Sequence, residues 1–127
     1  MVIVDTSIVI DHLRQIDKNK NTVLIELAKK FSKFEIGISV ISVQELYAGQ
    51  STKDEDKENY LKMTIAPMKV IPYTYEIAVL AGKIIRDTKR VVTFADASIA
   101  ASCIYNNAKL VTLNKKDFIG IAGLVLY

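Results

Sequence analysis

The apolar positions change period along the chain, and each change marks an element. Val2-Ile3-Val4 is a short, wholly apolar run ending at Asp5, the pattern of a strand buried on both faces. Residues 6–13 take a helical pattern, and a polar turn at Asp17-Lys18-Asn19-Lys20-Asn21 precedes a second helix near residues 22–33. There Val23, Leu24, Leu27, Ala28 and Phe31 form one apolar stripe, with Lys29, Lys30 and Lys33 off it. Ile36, Ile38 and Val40 alternate with Gly37 and Ser39 as a second strand, followed by a helix over residues 42–48 that stops at Gly49. Residues 52–65 predict a charged surface helix ended by Pro67. Residues 68–73 predict a third strand, and Thr74 caps a helix whose Ile77, Leu80, Ala81, Ile84 and Ile85 face inward. Residues 95–107 predict a helix of small side chains that can pack closely at the centre, with Asn107 in the left-handed position at its end. Residues 110–113 predict the next strand, residues 115–118 a short helical turn, and residues 124–126 a last strand.

Strands alternating with helices imply an α/β fold, with a mostly parallel sheet of about four to five strands covered on both faces. No repeat, linker or low-complexity tract divides residues 1–127, so one domain is expected. At 127 residues, half of them apolar, the chain has enough material for a core without disulfide or metal staples. Seventeen Lys and Arg against 14 Asp and Glu leave a net charge of +3, compatible with an anionic partner but too small to specify nucleic acid. Cys103 is the only cysteine, which excludes a disulfide framework and a cysteine-rich zinc site. With neither a leader pattern nor an apolar run long enough to span a bilayer, a soluble, cytoplasmic protein is expected.

Four carboxylates stand out. Asp5 ends the first strand and can cap the helix after it. Ser42-Val43-Gln44-Glu45, Thr93-Phe94-Ala95-Asp96 and Asn114-Lys115-Lys116-Asp117 each have the spacing of a capping box. Each acid taken singly is explained by a cap. Their joint placement suggests more, because helices that follow parallel strands begin at the carboxyl edge of the sheet, where ligands bind in α/β folds. Carboxylates gathered there without cations repel one another, so a positive ion is expected among them. Oxygen-only ligands select Mg²⁺ or Mn²⁺ rather than zinc. Such an ion activates water for attack on a phosphodiester and neutralises the developing charge, with no side-chain nucleophile required.

On four stretches the sequence resembles the PIN-domain ribonucleases, and among them the compact toxins of VapBC toxin–antitoxin pairs. These are Val2-Ile3-Val4-Asp5-Thr6-Ser7, Ser42-Val43-Gln44-Glu45-Leu46-Tyr47-Ala48-Gly49, Asp96-Ala97-Ser98-Ile99-Ala100-Ala101 and Leu110-Val111-Thr112-Leu113-Asn114-Lys115-Lys116-Asp117-Phe118. The resemblance implies a three-layer α/β/α PIN-like fold and Mg²⁺- or Mn²⁺-dependent cleavage of RNA. It also implies a homodimer and silencing by a cognate antitoxin inserted in the active-site groove. Asp5, Glu45 and Asp96 carry over as core acids and metal ligands, and Asp117 as the fourth, with Asn114 where some members carry an acid. Thr6, Ser7 and Thr112 would be hydroxyls that orient the carboxylates, and Asn114 would bind a metal-held water.

Lys83, Arg86, Lys89 and Arg90 precede Asp96, and Lys115 and Lys116 flank Asp117. Arg86, Lys89, Arg90, Lys115 and Lys116 are candidates for contacts to the RNA backbone; a solvated basic face is the alternative. His12 is the only histidine, which excludes a histidine-pair ribonuclease and suits a structural role or an exposed position. The chain has no P-loop, no G-x-G-x-x-G and no G-x-S-x-G. Two alternatives to the toxin remain at this level: an RNA-processing nuclease without an antitoxin, and a catalytically silent PIN-like module that binds RNA or protein.

Overall fold

The computed structural model describes residues 1–16 and 18–127. The elements run β1 (Val2–Val4), α1 (Thr6–Ile16), α2 (Val23–Lys30), β2 (Ile36–Ser39), α3 (Val40–Ala48), a 3-10 turn (Gln50–Lys53), α4 (Glu55–Ile65), β3 (Lys69–Ile71), α5 (Tyr75–Asp87), α6 (Phe94–Tyr105), β4 (Lys109–Val111) and a second 3-10 turn (Lys115–Asp117). The expected turn at residues 17–21 falls partly on Asp17, which lies outside the described residues. No helix among the described residues is long and apolar enough to cross a membrane.

The four strands form one parallel sheet in the order β3-β2-β1-β4. Side chains alternate across a strand, and β1 shows what this does here. Ile3 joins Ile71, Leu110 and the buried faces of α5 and α6 on one side. Val2 and Val4 join Ile38, Val111, Leu24, Leu27, Leu46 and Leu61 on the other, under α1 to α4. The result is the α/β/α layering expected from the alternation of periods.

Local chemistry sets the helix starts. Thr22, Asp54, Thr74 and Thr93 each sit in extended backbone and accept from an amide three residues on. Asn107 has φ 51°, the left-handed position expected after α6. Two stripes are narrower than the periodicity suggests: Val23 and Ala28 of α2 and Ile85 of α5 are exposed.

Four expectations need correction. The helix after β2 begins at Val40, because the Ser39 hydroxyl already caps it by accepting from the Ile41 amide. Ser42 is therefore inside the helix, fully buried with its Oγ unpartnered, and it forms no capping box with Glu45. Residues 52–65 are not one helix, since Asp54, extended at φ −83° and ψ 122°, caps α4 and separates it from the 3-10 turn. Asn114 makes no side-chain cap, and the Asp117 amide donates to its carbonyl instead. Residues 124–126 form no full strand. Gly120 and Gly123, both at φ 85°, turn the chain so that only Leu126 bridges Leu110 beside β4.

Candidate metal centre at the carboxyl edge of the sheet

The strand register brings the site's first residues level. Val4 pairs with Ile38 on one side and Val111 on the other, so Asp5, Ser39 and Thr112 leave the sheet side by side. Asp5 is buried and both its oxygens are held. Oδ1 accepts from the Ser7 hydroxyl at 2.5 Å and from the Ile8 amide at 3.4 Å, the latter being the helix cap expected from sequence. Oδ2 accepts from the Thr112 hydroxyl at 2.5 Å. Each hydroxyl in turn accepts from the loop after β4: Ser7 from the Leu113 amide at 3.1 Å, Thr112 from the Asn114 amide at 2.9 Å. A carboxylate has about four acceptor sites, so one remains on Asp5 for a further ligand.

Glu45 has no capping duty. Its exposed carboxylate turns toward α1 and accepts from the Thr6 hydroxyl at 2.7 Å. Asp96 lies in the first turn of α6, whose packing against α3, α5 and β4 makes it the central helix expected from its small residues. Its amide donates to Thr93, so only the serine/threonine half of that capping box is present. Asp117 ends the 3-10 turn after β4.

Electrostatics links the four. Burial pushes the Asp96 carboxyl above the ordinary aspartate range, the Thr93 hydroxyl opposes this, and the charges of Asp117, Glu45 and Asp5 push it up further. Acids from three other segments therefore all bear on Asp96. Among the described residues none of the four is in a salt bridge. Nor, among those residues, does any set of three or more His, Cys, Asp or Glu close into a cage for a metal ion. The donor set is all oxygen and its charge all negative, and by chemistry it fits a hard divalent cation.

The basic residues divide. Lys89, Lys115 and Lys116 are exposed near the acid-bearing segments in sequence. Arg86 is held in an exposed two-bond pair with Asp87, at 2.7 and 2.8 Å. Arg90 turns its N–H groups to the carbonyls of Val91, Asp117 and Ile119. Beside Glu45 a groove of about 490 Å³ opens between α1, α3 and α4, and Arg14 and Lys57 contribute to its lining. Sequence reasoning did not single out these two cations, since nothing in their spacing relates them to Glu45. His12, expected to be either structural or exposed, is buried with Nδ1 2.8 Å from the Thr22 hydroxyl.

The PIN domain model matches residues 2–124. Among solved structures, VapBC2 from Rickettsia felis, bound to a DNA fragment from its promoter, matches with a TM-score of 0.80 and 26% identity, covering 100% of this chain and 98% of that one. A toxin–antitoxin complex from Klebsiella pneumoniae matches at 0.76 and 25%, covering 98% and 96%. DNA-bound VapBC from Salmonella typhimurium matches at 0.84 and 22%, covering 100% and 98%, a likeness of fold. No curated protein matches the chain in sequence. With the family model matching nearly its whole length, residues 2–124, the chain belongs to the PIN domain family.

Proposed function

We propose that this chain is the toxin of a type II toxin–antitoxin pair, a Mg²⁺- or Mn²⁺-dependent endoribonuclease acting through Asp5, Glu45, Asp96 and Asp117. The observation that supports this reading is that Asp5 is held by Ser7 and Thr112 at the carboxyl edge of the sheet, while the charges of Asp117, Glu45 and Asp5 all raise the Asp96 carboxyl. Local capping does not account for all of them, because Glu45 caps nothing and Asp117 closes a turn that has no side-chain cap.

Asp5, Glu45, Asp96 and Asp117 would hold the cation. When bound, such an ion supplies Lewis acidity to a phosphodiester and neutralises charge in its transition state. Ser7 and Thr112 keep the Asp5 carboxylate in one orientation, and Thr6 does the same for Glu45. Asn114 would bind water at the site. Lys89, Lys115 and Lys116 are free to contact phosphate, which positions RNA without reading its sequence. Arg86 and Arg90 are less available for that role, given their partners.

The antitoxin partner is supported by the likeness to the Rickettsia and Klebsiella complexes. A homodimer is supported by Tyr75, Val91, Phe94 and Ile119, large apolar side chains left exposed for a protein surface to cover. The PIN-like unit is proposed to act as a single domain. The test is cleavage of total and structured RNA by purified protein with Mn²⁺ or EDTA, alongside Asp96→Asn. Cleavage that needs the metal and vanishes in a folded Asp96→Asn is expected. Metal-independent cleavage, or full activity in the variant, would overturn the assignment. No cleavage and no Mn²⁺ binding by antitoxin-free protein would favour a silent binding module.

A further inference from the structure

Asp96 and Asp117 come from different segments, and Asp117 is the carboxylate that acts most strongly on Asp96. The turn that carries Asp117 is only three residues long and has no side-chain cap. Among the described residues the Asp117 carboxylate makes no side-chain hydrogen bond, so its location follows from its backbone. Besides the turn's own amide bonds to the Asn114 and Lys115 carbonyls, two side chains hold that backbone. Phe118 is buried in the core beside it. Arg90 grips it from outside, donating from Nη2 to the Asp117 carbonyl at 2.7 Å and from Nε to the Ile119 carbonyl at 2.9 Å.

Arg90 also belongs to the connection between α5 and α6. Its Nη1 donates to the Val91 carbonyl at 3.2 Å, and three residues on Thr93 caps α6 by accepting from the Asp96 amide. One planar guanidinium thus ties the segment that delivers Asp96 to the turn that delivers Asp117. A fork of donors at fixed angles holds two carbonyls in a way that the single ammonium of lysine does not.

We propose that Arg90 is a positioning residue that sets the spacing of the Asp96 and Asp117 carboxylates, and thereby the affinity of the acidic site for a divalent cation. This rests on the metal-centre reading above and adds a residue that touches neither the cation nor the substrate. Arg90 acts through the backbone of residues 117–119.

The experiment measures Mn²⁺ binding by calorimetry for Arg90→Lys and Arg90→Gln, each with Asp117 intact and with Asp117→Asn, together with amide hydrogen exchange. With Asp117 intact, both variants should weaken Mn²⁺ binding about tenfold or more, the usual effect of losing a group that supports a metal ligand. In the Asp117→Asn background the same changes should cost less than about twofold, since the contact works through the missing ligand. Exchange should quicken at the Asp117 and Phe118 amides and stay unchanged in α6. Equal losses in both backgrounds, unchanged binding, or faster exchange throughout the protein would overturn the proposal. If the wild type binds no Mn²⁺, the metal-centre reading fails, and with it the link from Arg90 to affinity. The exchange data then still decide whether Arg90 holds the turn.

Discussion

The Thr112 hydroxyl donates to Oδ2 of Asp5 at 2.5 Å, joining residues 107 positions apart in the chain. The same hydroxyl accepts from the Asn114 amide, so the end of β1 and the loop after β4 are held as one unit. Thr112→Val removes both bonds and leaves a buried acceptor unsatisfied, at a cost of about 1–3 kcal/mol in stability. Mn²⁺ affinity should fall about 10- to 100-fold, and Thr112→Ser should restore most of it. Calorimetry on the three proteins checks this; equal affinity for wild type and Thr112→Val would show that the hydroxyl does not orient Asp5.

The raised Asp96 carboxyl has a signature in the metal-free protein. A group whose pKa is raised on folding stabilises the native state at low pH, and loses that contribution as pH rises through its folded pKa. Relative to Asp96→Asn, the wild type in EDTA should therefore gain Tm as pH is lowered from about 7 to about 4. Thermal melts of both proteins across that range are the check. A Tm gap that does not change with pH would mean that Asp96 is unperturbed.

His12 predicts the opposite slope. Burial lowers its pKa against the pull of Asp11, so the native state favours the neutral ring. Its contribution is full above the unfolded histidine pKa of about 6.5 and is lost as pH falls below it through the folded value. Stability measured by urea titration should decline over that window in the wild type and less in His12→Gln. Thr22→Val removes the α2 cap together with the partner of His12, and should cost about 0.5–2 kcal/mol at neutral pH.

Gly37 lies in β2 between β1 and β3, where an added Cβ would meet Ile3 Cγ1 at 3.2 Å and the Lys69 carbonyl at 3.4 Å. Gly37→Val should destabilise by about 1–3 kcal/mol through overpacking, read as a lower urea midpoint with an unchanged m-value. A variant as stable as the wild type would mean that this part of the core can give way.

Much of the fold is legible in the one-dimensional pattern, because burial imposes a period on each element. The apolar run at Val2-Ile3-Val4, the small-residue α6 and the left-handed Asn107 all follow from local rules. The misreadings also have local causes. Ser39 and Ser42 both have the chemistry of an N-cap and both are fully buried, and only the folded chain decided that Ser39 caps while Ser42 lies inside the helix. Leu124-Val125-Leu126 has a strand composition, but the turns at Gly120 and Gly123 leave a single bridge.

The sequence by itself determined the alternation of strands and helices and the parallel sheet it implies, and it singled out the four acids as candidates. Period and capping chemistry act over a few residues, so they are written locally. What only the tertiary structure decided is which groups meet: Thr112 with Asp5, Thr6 with Glu45, and Arg90 with the backbone of Asp117. Those contacts join segments 27 to 107 residues apart. They exist because strand register and helix packing bring the segments together, and no local rule records that. Arg90 shows the difference most clearly: its charge and its place before Asp96 suggest a phosphate contact, whereas the folded chain directs its guanidinium to three carbonyls of its own backbone.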